Sequence, residues 1–261
     1  MERYVELHKK NGTLRGMLHL PEGADKNHKA PGIILFHGFT GNRMEPSFLF
    51  VRFSRLLAEQ GIASIRFDFM HSGESDGSFE NMTLSGELAD AQDILNYFSS
   101  LEMIDTKKIF LLGLSMGGSI AGYTAGRNSS RIKGLILWAA AGEMSGFIEE
   151  REKQAASGEI TGNPMDLDGL LLGENFLTDV KALKIMQTSK LYNGPVSIIH
   201  GTGDETVPHQ VALQYKGVYG GRASIHLIES ADHTFQSIEW SKELFATSVE
   251  FLHSCMEAES L

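Results

Sequence analysis

The sequence predicts an α/β fold: a mostly parallel, doubly wound sheet of eight strands with a small cap inserted after the sixth. Three observations predict it. From Gly32 onward, short apolar runs of strand length alternate with longer segments that carry a helical apolar stripe, the pattern of parallel strands joined by crossover helices. The run Gly32–Phe36 has no polar alternation, as expected of a strand covered on both faces. The alternation fails only once, between about residues 143 and 190, and then resumes.

Taken in order, Tyr4–His8 and Leu14–Leu20 read as antiparallel strands joined through Asn11-Gly12, a strong hairpin signal. A polar stretch leads to strand Gly32–Phe36. Helix Phe48–Glu59 stops at Gly61, and strand Ala63–Phe67 follows. Ser85–Leu101 is an amphipathic helix with Leu88, Ala91, Ile94, Leu95 and Phe98 on one face. Strand Ile109–Leu112, helix Met116–Gly126 and strand Leu135–Ala139 come next. After the interruption stand strand Val196–Ile199, helix Pro208–Tyr219, strand Ser224–Ile228 and a last helix from Trp240 to Met256. Residues 1–142 and 191–261 are therefore expected to form the core domain, and 143–190 the cap. The cap carries Met144, Phe147, Met165, Leu170, Leu171, Leu172, Phe176 and Met186, an apolar set expected mostly to fill the insert's own core.

Composition excludes several classes of function. A net charge of -10 offers no basic face for phosphate, so neither nucleic acid nor an anionic membrane surface is an expected partner. No stretch approaches the ~20 apolar residues of a membrane span. The first residues lack the apolar core of a signal peptide, and the single cysteine, Cys255, rules out an intrachain disulfide; a cytoplasmic protein is expected. There is no H-E-x-x-H and no cysteine pair, so no metal is expected. No phosphate-binding glycine loop opens a helix, so no cofactor is expected either. A small-molecule substrate is left, with room for a homodimer.

In an open α/β sheet the ligand site lies at the carboxyl ends of the strands. The pattern G-x-S-x-G occurs twice there, at Gly113–Gly117 and at Gly73–Gly77. A nucleophile elbow needs a strand, a sharp turn and then a helix, which lifts the serine above the sheet. Ser115 has that context; Ser75 does not, because no helix begins until about Ser85. A serine hydroxyl needs a histidine to take its proton, and the histidine needs a third group to fix its tautomer. In this α/β-hydrolase arrangement the partners follow in the order Ser, Asp/Glu, His. His233 stands in the loop after the last strand, where the base must reach the serine. Asp204, in Gly201-Thr202-Gly203-Asp204-Glu205 after the preceding strand, is the expected acid, with Glu205 directed to solvent. Asp232 is expected to make a turn contact. Two backbone amides are expected to form the oxyanion hole: that of Met116, opening the helix after the elbow, and that of Phe39 in His37-Gly38-Phe39-Thr40-Gly41. His37 is read as a satisfied structural histidine.

With these residues in place the chain resembles the bacterial cinnamoyl/feruloyl esterases. The resemblance runs through His37–Asn42, Arg66-Phe67-Asp68-Phe69, Gly73–Thr83, His200-Gly201-Thr202 and Ala231-Asp232-His233. It implies a serine esterase for hydroxycinnamate esters with a small cap over the acyl pocket. It also implies that Phe176 takes the place of a tyrosine that usually helps hold the ring hydroxyl. The family's elbow usually reads Gly-His-Ser-Gln-Gly-Gly, where this chain has Leu114 and Met116. Both differences make the site less polar, so a general carboxylesterase or acylglycerol lipase stays open beside the cinnamoyl reading. So does a non-catalytic binding protein on the same fold.

Overall fold

The structure is a computed structural model that describes residues 1–142, 145–158, 163 and 165–257. The hairpin of β1 (Glu2–Lys9) and β2 (Gly12–His19) begins the main sheet. Lys9 pairs with Gly12, so the two-residue loop is Lys10-Asn11, one position earlier than the sequence suggested, and Gly12 (φ +147°) opens β2. β3 (Ala30–Phe36), β4 (Ala63–Phe67), β5 (Ile104–Leu114) and β6 (Gly134–Trp138) follow. A separate two-stranded pair, β7 (Asp166–Leu167) and β8 (Leu170–Leu171), precedes β9 (Val196–Gly201) and β10 (Ala223–Ile228). The main sheet has the order β1-β2-β4-β3-β5-β6-β9-β10. β2 runs antiparallel to both neighbours, and the six strands from β4 to β10 in that order run parallel. This is the predicted eight-stranded, mostly parallel sheet.

Strand geometry sends alternate side chains to opposite faces, and because both faces are covered both sets are apolar. In β3, Ile33 and Leu35 pack with α1 (Leu49–Glu59) and α8 (Ile238–Glu257), while Ile34 and Phe36 pack with α2 (Leu84–Ser100), α3 (Met116–Arg127) and α7 (Gln210–Tyr219). The Trp138 ring is fully buried on the first face, against Phe50, Phe53 and Phe245, and its Nε1–H donates to Ser248 Oγ at 3.0 Å. α2 starts one residue before the predicted Ser85, because Thr83 caps it by accepting the Gly86 amide at 3.1 Å. Among the described residues no helix is long and apolar enough to cross a membrane.

The insert contains α4 (Ser145–Ser157), the β7–β8 pair, α5 (Glu174–Ala182) and α6 (Ile185–Ser189). Glu143, where the cap was placed to begin, and Met144 lie outside the described residues, as does the side chain of Phe147. Among the described residues, the buried apolar side chains of the insert do not build a core of their own. Leu172, Phe176, Val180 and Ile185 join the core on the α2, α3 and α7 face, and Leu170 and Leu171 are exposed. An element this short encloses too little volume and must dock on its neighbours. The Asp179 carboxylate fixes α5 to the first turn of α2, accepting Ser85 N–H at 2.7 Å and Ser85 Oγ–H at 2.5 Å.

Candidate active site

β5 ends at Leu114, α3 begins at Met116, and Ser115 between them has φ +56° and ψ -124°. No L-residue adopts that backbone without strain, so the surroundings must hold it. Ser115 N–H donates to Trp138 O at 3.0 Å, and Ser115 O accepts the amides of Gly118 and Ala141 at 2.9 Å each. The two motif glycines are required by space. A Cβ on Gly113 would overlap the carbonyl of Gly117, and one on Gly117 would overlap the carbonyl of Phe36. Ser115 itself is half-buried. Ser75 is a different object. It is buried in the loop after β4, where its Oγ–H donates to Asp68 O at 2.7 Å and its Oγ accepts the Arg15 amide at 2.9 Å. That serine is a strut between loop and β2.

The loops after β9 and β10 bring Asp204 and His233 together. His233 Nδ1 lies 2.7 Å from Asp204 Oδ2, and the Asp204 side chain has no exposed surface. A carboxylate can only accept, so Nδ1 carries the proton and the lone pair of a neutral ring is on Nε2, the nitrogen a base needs. Asp204 Oδ1 accepts the amides of Thr206 and Val207 at 2.9 and 2.8 Å. Burial pushes the pKa of this carboxyl up, but the bonds to His200 and His233, the charge of His233 and the Val207 amide outweigh it and hold the group well below the usual carboxylate range. Asp204 is thus a fixed anion. Asp232 turns away and accepts the amides of Thr234 and Gln236, and Glu205 is exposed. No hydrogen bond joins Ser115 Oγ to the His233 ring among the described residues, a looseness common in resting catalytic sites.

The loop after β3 runs beside the elbow: a Cβ on Gly38 would stand 3.2 Å from the Cβ of Ser115. Its turn is closed by Gly41 N–H to Gly38 O at 3.1 Å, with Thr40 at φ +60°. His37 sits beneath it with both nitrogens satisfied. Nδ1 donates to Gly38 O at 2.9 Å, Nε2 accepts the Phe69 amide at 3.1 Å, and burial lowers the ring's basicity. The Phe39 ring, half-buried, lies 5.8 Å from Phe79 and stacks on Phe176 at 5.3 Å. Phe176 is fully buried. It backs the Phe39 ring and presents no open face of its own.

Two polar groups at the site escaped the sequence reading. His200, near the end of β9, is fully buried and directs Nε2 at Asp204 Oδ2 (3.1 Å) and Val207 O (2.9 Å), while its Nδ1 has no partner among the described residues. Both neighbours are acceptors, so Nε2 carries the proton. The four-residue spacing from His200 to Asp204 across one strand-to-loop turn was the available signal. Glu45 is the other: its buried Oε1 accepts the Gly38 amide at 2.6 Å, and burial pushes its pKa up to about 7 although that bond favours ionisation. Nothing in the sequence marks it.

A family model described as "alpha/beta hydrolase fold" matches residues 31–157. An uncharacterized 31.7 kDa Escherichia coli protein from the traX-finO intergenic region is 30% identical over 214 residues, covering 80% of this chain and 72% of that protein. The putative esterase YitV of Bacillus subtilis is 25% identical over 257 residues, 88% of this chain and 96% of its own. Among solved structures, Est1E from Butyrivibrio proteoclasticus with ferulic acid bound superposes with a TM-score of 0.83 at 24% identity, covering 97% of this chain and 99% of that one. That last likeness speaks for the fold.

Proposed function

The chain belongs to the α/β-hydrolase fold family, and from that premise we propose that it is a serine carboxylic-ester hydrolase working through an acyl-enzyme on Ser115. His233 takes the proton of the Ser115 hydroxyl as its oxygen attacks the ester carbonyl. Asp204 holds the imidazole in the working tautomer and stabilises the imidazolium. The amides of Phe39 and Met116 receive the charge that develops on the carbonyl oxygen, the second helped by the N-terminal dipole of α3. His233 then gives its proton to the leaving alcohol, and water repeats the route to release the acid. The observation that carries this reading is the His233 Nδ1–Asp204 contact of 2.7 Å, which commits one ring nitrogen and leaves the other for a nucleophile at the same end of the sheet.

The substrate class that we infer is hydroxycinnamate (feruloyl-type) or other small esters with an apolar acyl group. The half-buried rings of Phe39 and Phe79 offer aromatic surface beside the elbow, and the likeness to Est1E with ferulic acid bound and to a putative esterase supports the reading. A general short- or medium-chain carboxylesterase or acylglycerol lipase is the second reading, favoured by the apolar character of the same Phe39 and Phe79 rings, which offer no group to bond a ring hydroxyl. A fluorophosphonate probe followed by mass mapping tests the class, with Ser115 labelled in the native chain and Ser115→Ala unlabelled and inactive. Turnover by Ser115→Ala would end the proposal. Hydrolysis of methyl ferulate, methyl cinnamate and p-nitrophenyl esters of increasing length decides between the substrate readings. Comparable rates on ferulate and cinnamate with little on longer chains support the first, and a maximum on longer chains the second.

A further inference from the structure

We propose that Glu45 is a positioning residue for the oxyanion loop, turning the Gly38 amide inward so that the next amide, that of Phe39, faces the carbonyl oxygen above Ser115. The inference rests on the ester-hydrolase reading of the site and adds a residue to it.

Three observations meet at this side chain. The first is contact. Glu45 Oε1 accepts Gly38 N–H at 2.6 Å, and a Cβ on Gly41 would stand 3.2 Å from the same oxygen, so the carboxyl lies against both ends of the turn that presents Phe39. A Cβ on Gly38 would be 3.6 Å from Oε1 and 3.2 Å from the Cβ of Ser115, which puts one backbone unit between Glu45 and the nucleophile. The second is strain. Glu45 has φ +58° and ψ 161°, a region that glycine occupies almost alone. It precedes Pro46, which ordinarily drives the residue before it to extended, negative φ. Ser47 (φ +54°) and Phe48 (φ +56°) continue the strained run. A chain that only needed to turn here had Gly or Asn available, and a strained non-glycine is kept where its side chain must go somewhere particular. The third is isolation. The carboxyl is buried, and no Lys, Arg or His forms an ion pair with it among the described residues; the nearby Arg43 is turned to Asp68 and Glu74. Burying an unpaired carboxyl is costly, so the bond that it accepts from Gly38 N–H is the contact its placement serves.

Fixing Gly38 N–H onto Glu45 and Gly41 N–H onto Gly38 O pins the backbone on both sides of Phe39, and so sets the direction of its amide. Losing the acceptor releases Gly38 to rotate and blurs the aim of Phe39, which lowers the rate in the transition state more than it weakens substrate binding.

The test is steady-state hydrolysis of p-nitrophenyl butyrate by the native chain, Glu45→Ala and Glu45→Gln, with thermal unfolding of each. The expected result is a fall in kcat of roughly 10²-fold for Glu45→Ala with KM changed only a few-fold, as for loss of one oxyanion donor, and recovery of most of kcat in Glu45→Gln, whose amide oxygen can still accept. The rate of fluorophosphonate labelling of Ser115 should fall and recover in parallel. If Glu45→Ala does not fold, Glu45→Met, which keeps volume without an oxygen acceptor, carries the comparison. Folded Glu45→Ala or Glu45→Met with kcat within about three-fold of native would overturn the inference, and so would a folded Glu45→Gln as slow as Glu45→Ala. In those cases an active native chain leaves the esterase reading standing. A native chain that neither turns over ester nor labels at Ser115 would remove both.

Discussion

Asp204 holds two histidines at once, and its loss should fall unequally on them. His233 depends on the carboxylate for its tautomer, whereas His200 keeps Val207 O as an acceptor. Asp204→Asn should therefore leave the fold in place and lower kcat by about 10⁴, as expected when the base is held in the wrong tautomer. Native turnover by Asp204→Asn would remove Asp204 as the orienting group. Ser75→Ala should do the reverse: turnover within a few-fold of native, but a loss of roughly 1–3 kcal/mol in urea unfolding, since the Arg15 amide and Asp68 carbonyl both lose a buried partner. The sequence could point to Ser115, Asp204 and His233 because acyl transfer needs these groups in fixed order at fixed places in a sheet. His200 and Glu45 act through other residues. A group that works by a hydrogen bond to a loop leaves no spacing to read, and only the folded chain shows the contact.

Among the elements, the strands and the helices between them were legible wherever one face or both faces are apolar. The insert was not. Among its described residues the buried contribution is a handful of positions, of which Phe176 and Val180 fall four apart on α5, too few for a stripe to stand out. Its last helix could not be recognised as core-bound, since what receives α6 is an absence of side chain on α3. A Cβ at Gly126 would collide with the Thr188 carbonyl, and one at Gly122 would lie 2.9 Å from Ser189 Oγ. Helix propensity alone favours alanine over glycine by about 1 kcal/mol in a helix interior. Here the close approach reverses the sign, and Gly126→Ala should destabilise by roughly 1–3 kcal/mol because α6 must be pushed off α3. Thermal unfolding checks it, and a raised Tm would show that α6 yields at no cost.

At the scale of the whole molecule, buried carboxyls set opposing limits on stability. Glu45, pushed up to about 7 by burial, and Glu87, raised by burial and then by the charge of Asp90, both have folded pKa values above those of the unfolded chain. Their contribution is full below the ordinary carboxylate pKa and is lost as pH rises through the folded value. Asp204 works the other way: its lowered pKa contributes stability above the ordinary carboxylate range that is lost as pH falls below it. Buried His19 and His37 oppose the glutamates, since burial lowers their pKa and their contribution is lost as pH falls below the ordinary histidine value. Glu45→Gln should match the native chain near pH 5 and exceed it near pH 8, by at most about 3 kcal/mol. Urea denaturation at the two pH values measures it, and an equal difference at both would mean that the carboxyl does not titrate in this range.

The placement of Trp138 has an optical consequence. Its ring is sealed from water while its carbonyl holds the backbone of Ser115, and the chain has one other indole, the half-buried Trp240. In a Trp240→Phe background all tryptophan emission would come from a blue-shifted fluorophore one hydrogen bond from the nucleophile's amide. The protein then carries its own probe of the elbow: a red shift that precedes loss of helical dichroism on heating would report the strained turn opening before the sheet melts.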